Sequence, residues 1–393
     1  MIAVHFDKLQ VNQRATEINR RVERATNTAL RAIDGLKAKI GLAGRRAAYD
    51  DHAYEFLGGA RDALRKKHYD KSLRLLWKAE QAAPWSTFKD ATEAERALLG
   101  VAERGMNDAE KAARARISSR EFKELLDREY THEQKVAIVA ILSAIGHGEA
   151  YAWLVSASML NEVQSTGARA AVTMQVMEEA KHFVVLRELV QAFDVPVPRQ
   201  SAWEYLMLEG CMKARGLDRF FGMNVLVETI ALSIFGLLSD KPGLEVLRLF
   251  HLDESRHTAL PDNYFREFPM SAWQKQSPRA RLDRLRMVLP AVPLVLYLEP
   301  ELAELGTDVF DFGGSVLRKV VHLAERSGFL LPVPGDQLLA AINEVLNAYC
   351  AVTREGHVKR NFMAAETTKG AAEAALEREI FGAANDGRVD AAA

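Results

Sequence analysis

Glu178-Glu179-Ala180-Lys181-His182 and Asp253-Glu254-Ser255-Arg256-His257 follow one pattern: acid, Glu, small residue, base, His. On an α-helix, residues three apart lie about one turn apart on the same face, with roughly 5–6 Å between their Cβ atoms. Glu179 with His182, and Glu254 with His257, therefore offer a carboxylate and an imidazole to one metal ion each. Two such pairs in one chain predict two metals, and with them redox chemistry.

Beyond these motifs strand signals are scarce. Helical spacing with Ala, Leu, Glu and Arg runs through nearly the whole chain, which predicts an all-α protein. A helix is expected from Thr131, an N-cap with Glu133 and Gln134 in its first turn, to about residue 163. The chain turns at Gln164-Ser165-Thr166-Gly167 and returns as a second helix to about residue 193, ended by Asp194 and the prolines at 196 and 198. A third helix spans 218–238, Ser239-Asp240-Lys241-Pro242-Gly243 breaks the chain, and a fourth helix reaches about residue 265. Each of the two hairpins carries a Glu-x-x-His pair on its second helix.

A dinuclear centre built this way needs two further carboxylates, one from the other helix of each hairpin, to complete coordination and balance charge. Glu149 stands 16 residues before the turn at Ser165 and Glu179 stands 14 after it, while Glu228 and Glu254 flank Lys241 at 13 residues each. Both pairs therefore sit at matching heights, roughly 20 Å from their turns at 1.5 Å per residue. Glu149 lies in Gly-His-Gly-Glu-Ala-Tyr-Ala and Glu228 in Asn-Val-Leu-Val-Glu-Thr-Ile-Ala-Leu, where a carboxylate is costly unless it meets an opposite charge. The competing reading makes Glu149 and Glu228 surface or salt-bridged acids and the histidines satisfied core residues. The independent registers of the two hairpins favour metal.

These residues resemble the ferritin-like di-iron carboxylate superfamily, whose pattern is Glu, Glu-x-x-His, Glu, Glu-x-x-His on a four-helix bundle. The resemblance covers roughly residues 131–266, and the second motif matches the Asp-Glu-x-Arg-His form often seen there. It implies that Glu149, Glu179, His182, Glu228, Glu254 and His257 are the metal ligands, with Glu179 and Glu254 bridging. It implies also that Glu178 and Asp253 accept hydrogen bonds from the ligand imidazoles. The cofactor expected is two Fe ions, or a Mn/Fe pair, with O2 as co-substrate.

Within that superfamily, radical subunits of ribonucleotide reductase carry a Tyr four residues after the first motif's His. Here the position is Leu186, which disfavours that branch, and Tyr151 and Tyr264 read as core. Rubredoxin-bearing peroxidases need cysteines that this chain lacks. Aryl-amine N-oxygenases carry an extra His about one turn before the second motif's Glu, which makes His251 a possible further ligand, although an ordinary histidine is the plainer reading. His147 points to another face and reads as packing or support. The activity expected is an O2-activating oxidase or oxygenase acting on a small organic substrate and served by an electron donor such as a reductase or ferredoxin. The alternatives are amine N-oxygenation through His251, iron storage or ferroxidase chemistry, and a non-catalytic helical binding protein with a structural metal site. Trp153, Phe183, Leu226, Phe235 and Phe250 read as mostly bundle core.

Composition sets the outer bounds. The chain has 393 residues, with 52 basic and 53 acidic side chains, so no overall field draws it to nucleic acid or an anionic membrane. Cys211 and Cys350 alone exclude a disulfide framework and fit a reducing cytoplasm. Residues 1–10 lack the apolar run of a signal peptide. Residues 136–160 are long and apolar enough for a membrane span, but His147 and Glu149 within them argue for the centre of a large soluble bundle. Three regions are expected: helices over 1–130 with breaks near Gly41–Gly44, Gly58–Gly59 and Pro84–Ser86; the metal-bearing bundle over 131–266; and helices over 267–393 packed on it, frayed at the end. Arg20-Arg21 and Arg65-Lys66-Lys67 read as solvated helix faces. A homodimer is a further expectation, with the oligomeric state left open.

Overall fold

Thr131 starts the first helix of the site region as its sequence predicts. In the computed structural model its hydroxyl accepts from the Gln134 backbone N–H while the Gln134 side chain accepts from the Thr131 N–H, a reciprocal capping box. The structure describes residues 5–40, 117, 119–164 and 166–362. The breaks expected near Gly41–Gly44, Gly58–Gly59 and Pro84–Ser86, the basic run at Arg65–Lys67 and the chain's end lie outside the described residues.

Every regular element among the described residues is helical. In chain order they begin with α1 (Gln13–Lys39), α2 (Arg120–Glu129), α3 (His132–Met159), α4 (Thr166–Ala192), α5 (Ala202–Lys213), α6 (Asp218–Leu238) and α7 (Leu247–Glu267). They continue with α8 (Ala272–Gln276), α9 (Pro278–Val288), α10 (Ala291–Tyr297), α11 (Glu299–Glu304), α12 (Val309–Arg326) and α13 (Gly335–Thr353). Helix α3 ends at Met159, earlier than expected, because residues 160–163 already turn.

α3 packs along α4 and α6 along α7, and contacts of α4 with α7 and of α6 with α3 join the two hairpins into a closed ring of four helices. α5 and α11 cover α3, α12 lies on α6, and α1 reaches across to α5 and α10. One apolar core runs from Phe6 through Leu331, so the segments before and after the ring share its interior. Two helices are long and apolar enough to cross a membrane, His132–Met159 and Asp218–Leu238, yet 78% and 89% of their most apolar windows are buried in the protein. Helices apolar on every side are what the middle of a multi-layered helical core requires.

One element departs from the expectation. The stretch Phe221–Val227 within α6 is π-helical, and the backbone N–H of Glu228 bonds to Met223, five residues back. Gly222 lies in this widened turn, where a Cβ would stand 3.1 Å from Cys211 Cα and 2.8 Å from Met287 Sδ. The missing side chain lets α5 and α9 press against the widened turn. Trp153, read as core, is 37% exposed on the outer face of α3.

Candidate metal centre

Glu149 comes from α3, Glu179 and His182 from α4, Glu228 from α6, and Glu254 and His257 from α7, so each helix of the ring supplies at least one side chain. All six are at most 3% exposed. Their ligand atoms form two clusters, each within 4.8 Å throughout: Glu149, Glu179, His182 and Glu254 in one, and Glu179, Glu228, Glu254 and His257 in the other. Glu179 and Glu254 belong to both.

His182 Nδ1 lies 3.0 Å from Glu254 Oε1 and 3.3 Å from Glu149 Oε2, and His257 Nδ1 lies 2.9 Å from both Glu179 Oε1 and Glu254 Oε2. Several of these approaches are not hydrogen bonds. Glu149 Oε2, Glu179 Oε2, His182 Nδ1 and Glu254 Oε1 are fully buried and have no hydrogen-bond partner. Unsatisfied acceptors gathered this closely are costly in a dry interior unless a cation sits among them. Four carboxylates against two neutral imidazoles would balance the charge of two divalent ions, and the oxygen and nitrogen donors are ones that divalent metals accept.

The outer nitrogens follow a crossed pattern. His182 Nε2, on α4, lies 3.0 Å from Asp253 on α7, and His257 Nε2, on α7, lies 2.9 Å from Glu178 on α4. A carboxylate only accepts, so each Nε2 carries a proton, and with a metal bound each Nδ1 would be the nitrogen that faces it. Arg256 ties the two outer acids together, at 2.8 Å to Glu178 and 2.6 Å to Asp253, and Lys181 adds 2.8 Å to Asp253. Phe250 stacks on the His182 ring with centroids 4.3 Å apart and fixes its plane.

Burial, reinforced by Glu254 and Glu179, raises the Glu149 carboxyl well above its ordinary value; burial with Glu179 and Glu254 does the same to Glu228. Burial alone would lower both imidazoles. Instead Asp253, Glu149 and Glu254 around His182, and Glu179, Glu254 and Glu178 around His257, raise them well above the usual range. Burial works against ionising Glu254 and Asp253, yet the positive His257 beside Glu254 and His182 beside Asp253 hold both far below the carboxylate range. Without metal, the centre is a set of buried acids and imidazoles sharing protons.

His251 does not join either cluster. Its Nδ1 lies 3.0 Å from the Leu232 carbonyl on α6, and burial pushes its pKa down to about 4. Position 251 is about 120° around the helix from 257, enough to turn it from the centre toward the neighbouring backbone. His147 also serves elsewhere, with Nδ1 2.7 Å from Glu204 on α5. Leu226, Phe235 and Phe250 are core as expected, and Phe183 is partly buried against it.

Two residues that the motif reading missed touch the cluster. Gln175 Nε2 lies 3.3 Å from Glu179 Oε1 and 3.2 Å from Glu228 Oε1, and Asn224 Nδ2 lies 2.9 Å from both Gln175 Oε1 and the His257 carbonyl. Their signal in the sequence is spacing, since each stands one turn before a ligand-type glutamate. No protein-family model matches the chain, and neither a curated protein nor a solved structure matches it.

Proposed function

We propose that this protein is a di-iron or manganese–iron carboxylate oxidoreductase with a ferritin-like four-helix core, an oxidase or oxygenase that uses O2. The observation carrying the proposal is the pair of buried clusters sharing Glu179 and Glu254, with ligand-type atoms that have no other partner. Bound at these clusters, two redox-active ions would supply reduction of O2. The chain's own part is to hold the four carboxylates and two imidazoles in place, to keep bulk water out, and to park a proton on each histidine Nε2 against Asp253 and Glu178. Lys181 and Arg256 are partly exposed and reach the outer acids, so the α4–α7 face links those acids to the surface. The reading carries with it a soluble, cytoplasmic protein without nucleic-acid or membrane partners.

A cavity of about 30 Å³ borders Glu149 and Glu228, walled by Ala144, Ile145, Gly148, Met207, Leu208 and Val227 among others. It has room for about two water-sized molecules. The small size of this space motivates a second reading, in which ferrous ion itself is the substrate of a ferroxidase. Anaerobic loading with ferrous ion followed by air separates them. An oxidase or oxygenase consumes O2 while holding two irons per chain, a ferroxidase goes on taking up iron, and no O2 consumption would sink both.

A further inference from the structure

The cluster looks two-fold symmetric when only its ligand-type side chains are considered, but its surroundings are not. We propose that the amides of Gln175 and Asn224 make the two metal positions inequivalent, fastening the position of Glu228 and His257 and leaving that of Glu149 and His182 the more weakly held. The inference rests on the dinuclear reading.

The amides form a directed chain. Gln175 Nε2 approaches two carboxylate oxygens, one on Glu179 and one on Glu228, so the nitrogen must face them. Its Oε1 then accepts from Asn224 Nδ2, whose other hydrogen goes to the His257 carbonyl. Turning either amide over would set oxygen against oxygen, so both orientations are fixed by their partners. Gln175 is 1% exposed and Asn224 fully buried, so water does not compete for these bonds.

Every contact of this chain bears on the second cluster: the Glu228 carboxylate, the backbone of His257 and the shared Glu179. Glu149 has no counterpart donor. Its Oε2 is buried and lacks a hydrogen-bond partner. A carboxylate held by an amide loses less freedom on taking a metal than one that is unanchored, and supporting hydrogen bonds of this kind are typically worth 10–100-fold in metal affinity. The π-helical turn bears on this asymmetry because Asn224 lies within it, one turn before Glu228.

The test is an anaerobic titration of the full chain with Co(II), followed by equilibrium dialysis and the cobalt visible spectrum. The wild-type chain should bind two ions in two resolved steps. Gln175→Met, close in size but without a donor, should weaken one step 10–100-fold and the other, through the shared Glu179, less; Asn224→Ala should weaken the first of these steps by a smaller factor. Circular dichroism of both variants checks that they fold, and Asn224→Ala alone decides the matter if Gln175→Met does not. Two identical steps in the wild type, or equal weakening of both steps in the variants, would overturn the inference and leave the dinuclear reading standing. Fewer than two ions in the wild type would overturn that reading and the inference together.

Discussion

Glu254 touches both imidazoles, His182 at 3.0 Å and His257 at 2.9 Å, whereas Glu149 approaches only His182. This difference gives substitutions distinct outcomes. Glu254→Ala removes a donor from both clusters and should take bound metal from two per chain to about none. Glu149→Ala should leave about one. Elemental analysis of protein desalted after anaerobic loading reads both numbers, and the same count for the two variants would contradict the shared-carboxylate arrangement. Asp253→Asn should weaken metal binding about 10–100-fold without abolishing it, because the neutral amide holds the His182 ring less firmly than a carboxylate; a competition titration with a chelator measures the change.

At the scale of the helix, the two Glu-x-x-His pairs were legible because one turn of helix is a fixed length, and Glu149 and Glu228 because a short turn fixes hairpin register. Thr131 was legible because capping depends on a few adjacent residues. What escaped the sequence depends on neighbours rather than on spacing along one helix. The π-helical turn at Phe221–Val227 packs at Gly222 against α5 and α9, His251 turns toward the α6 backbone, and Trp153 is partly exposed on α3. Gln175 and Asn224 lack a named motif and gain meaning only when α4 and α6 come together. The cap provides a control for arguments about the site. Thr131→Ala should cost about 1 kcal/mol in chemical denaturation and leave two metals bound, since the cap lies at the far end of α3 from Glu149.

For the whole molecule, the buried protons predict how stability follows pH. In the metal-free protein Glu149 and Glu228 keep protons above their ordinary value of 4.5, and His182 and His257 keep them above 6.5. For these four groups the folded state binds more protons than the unfolded chain, so stability falls as pH rises above the ordinary values, about 4.5 for the acids and 6.5 for the imidazoles. Glu254, Glu178 and Asp253 have lowered pKa values and act oppositely. Their contribution is present above about 4.5 and is lost as pH falls further. Melting temperature without metal should therefore peak in mildly acidic solution. Metal binding displaces protons from the ligands, so added ferrous or manganous ion should raise the melting temperature most near pH 8. A metal-induced shift independent of pH would contradict the buried-proton account.

The central claim is that two metals share one buried site, and X-ray absorption of anaerobically iron-loaded protein, with the iron counted on the same sample, tests it most directly. The account predicts two irons per chain, nitrogen and oxygen neighbours only, and an iron–iron scattering path in the range of about 3–4 Å. One iron per chain, or two with no iron–iron path, would contradict it.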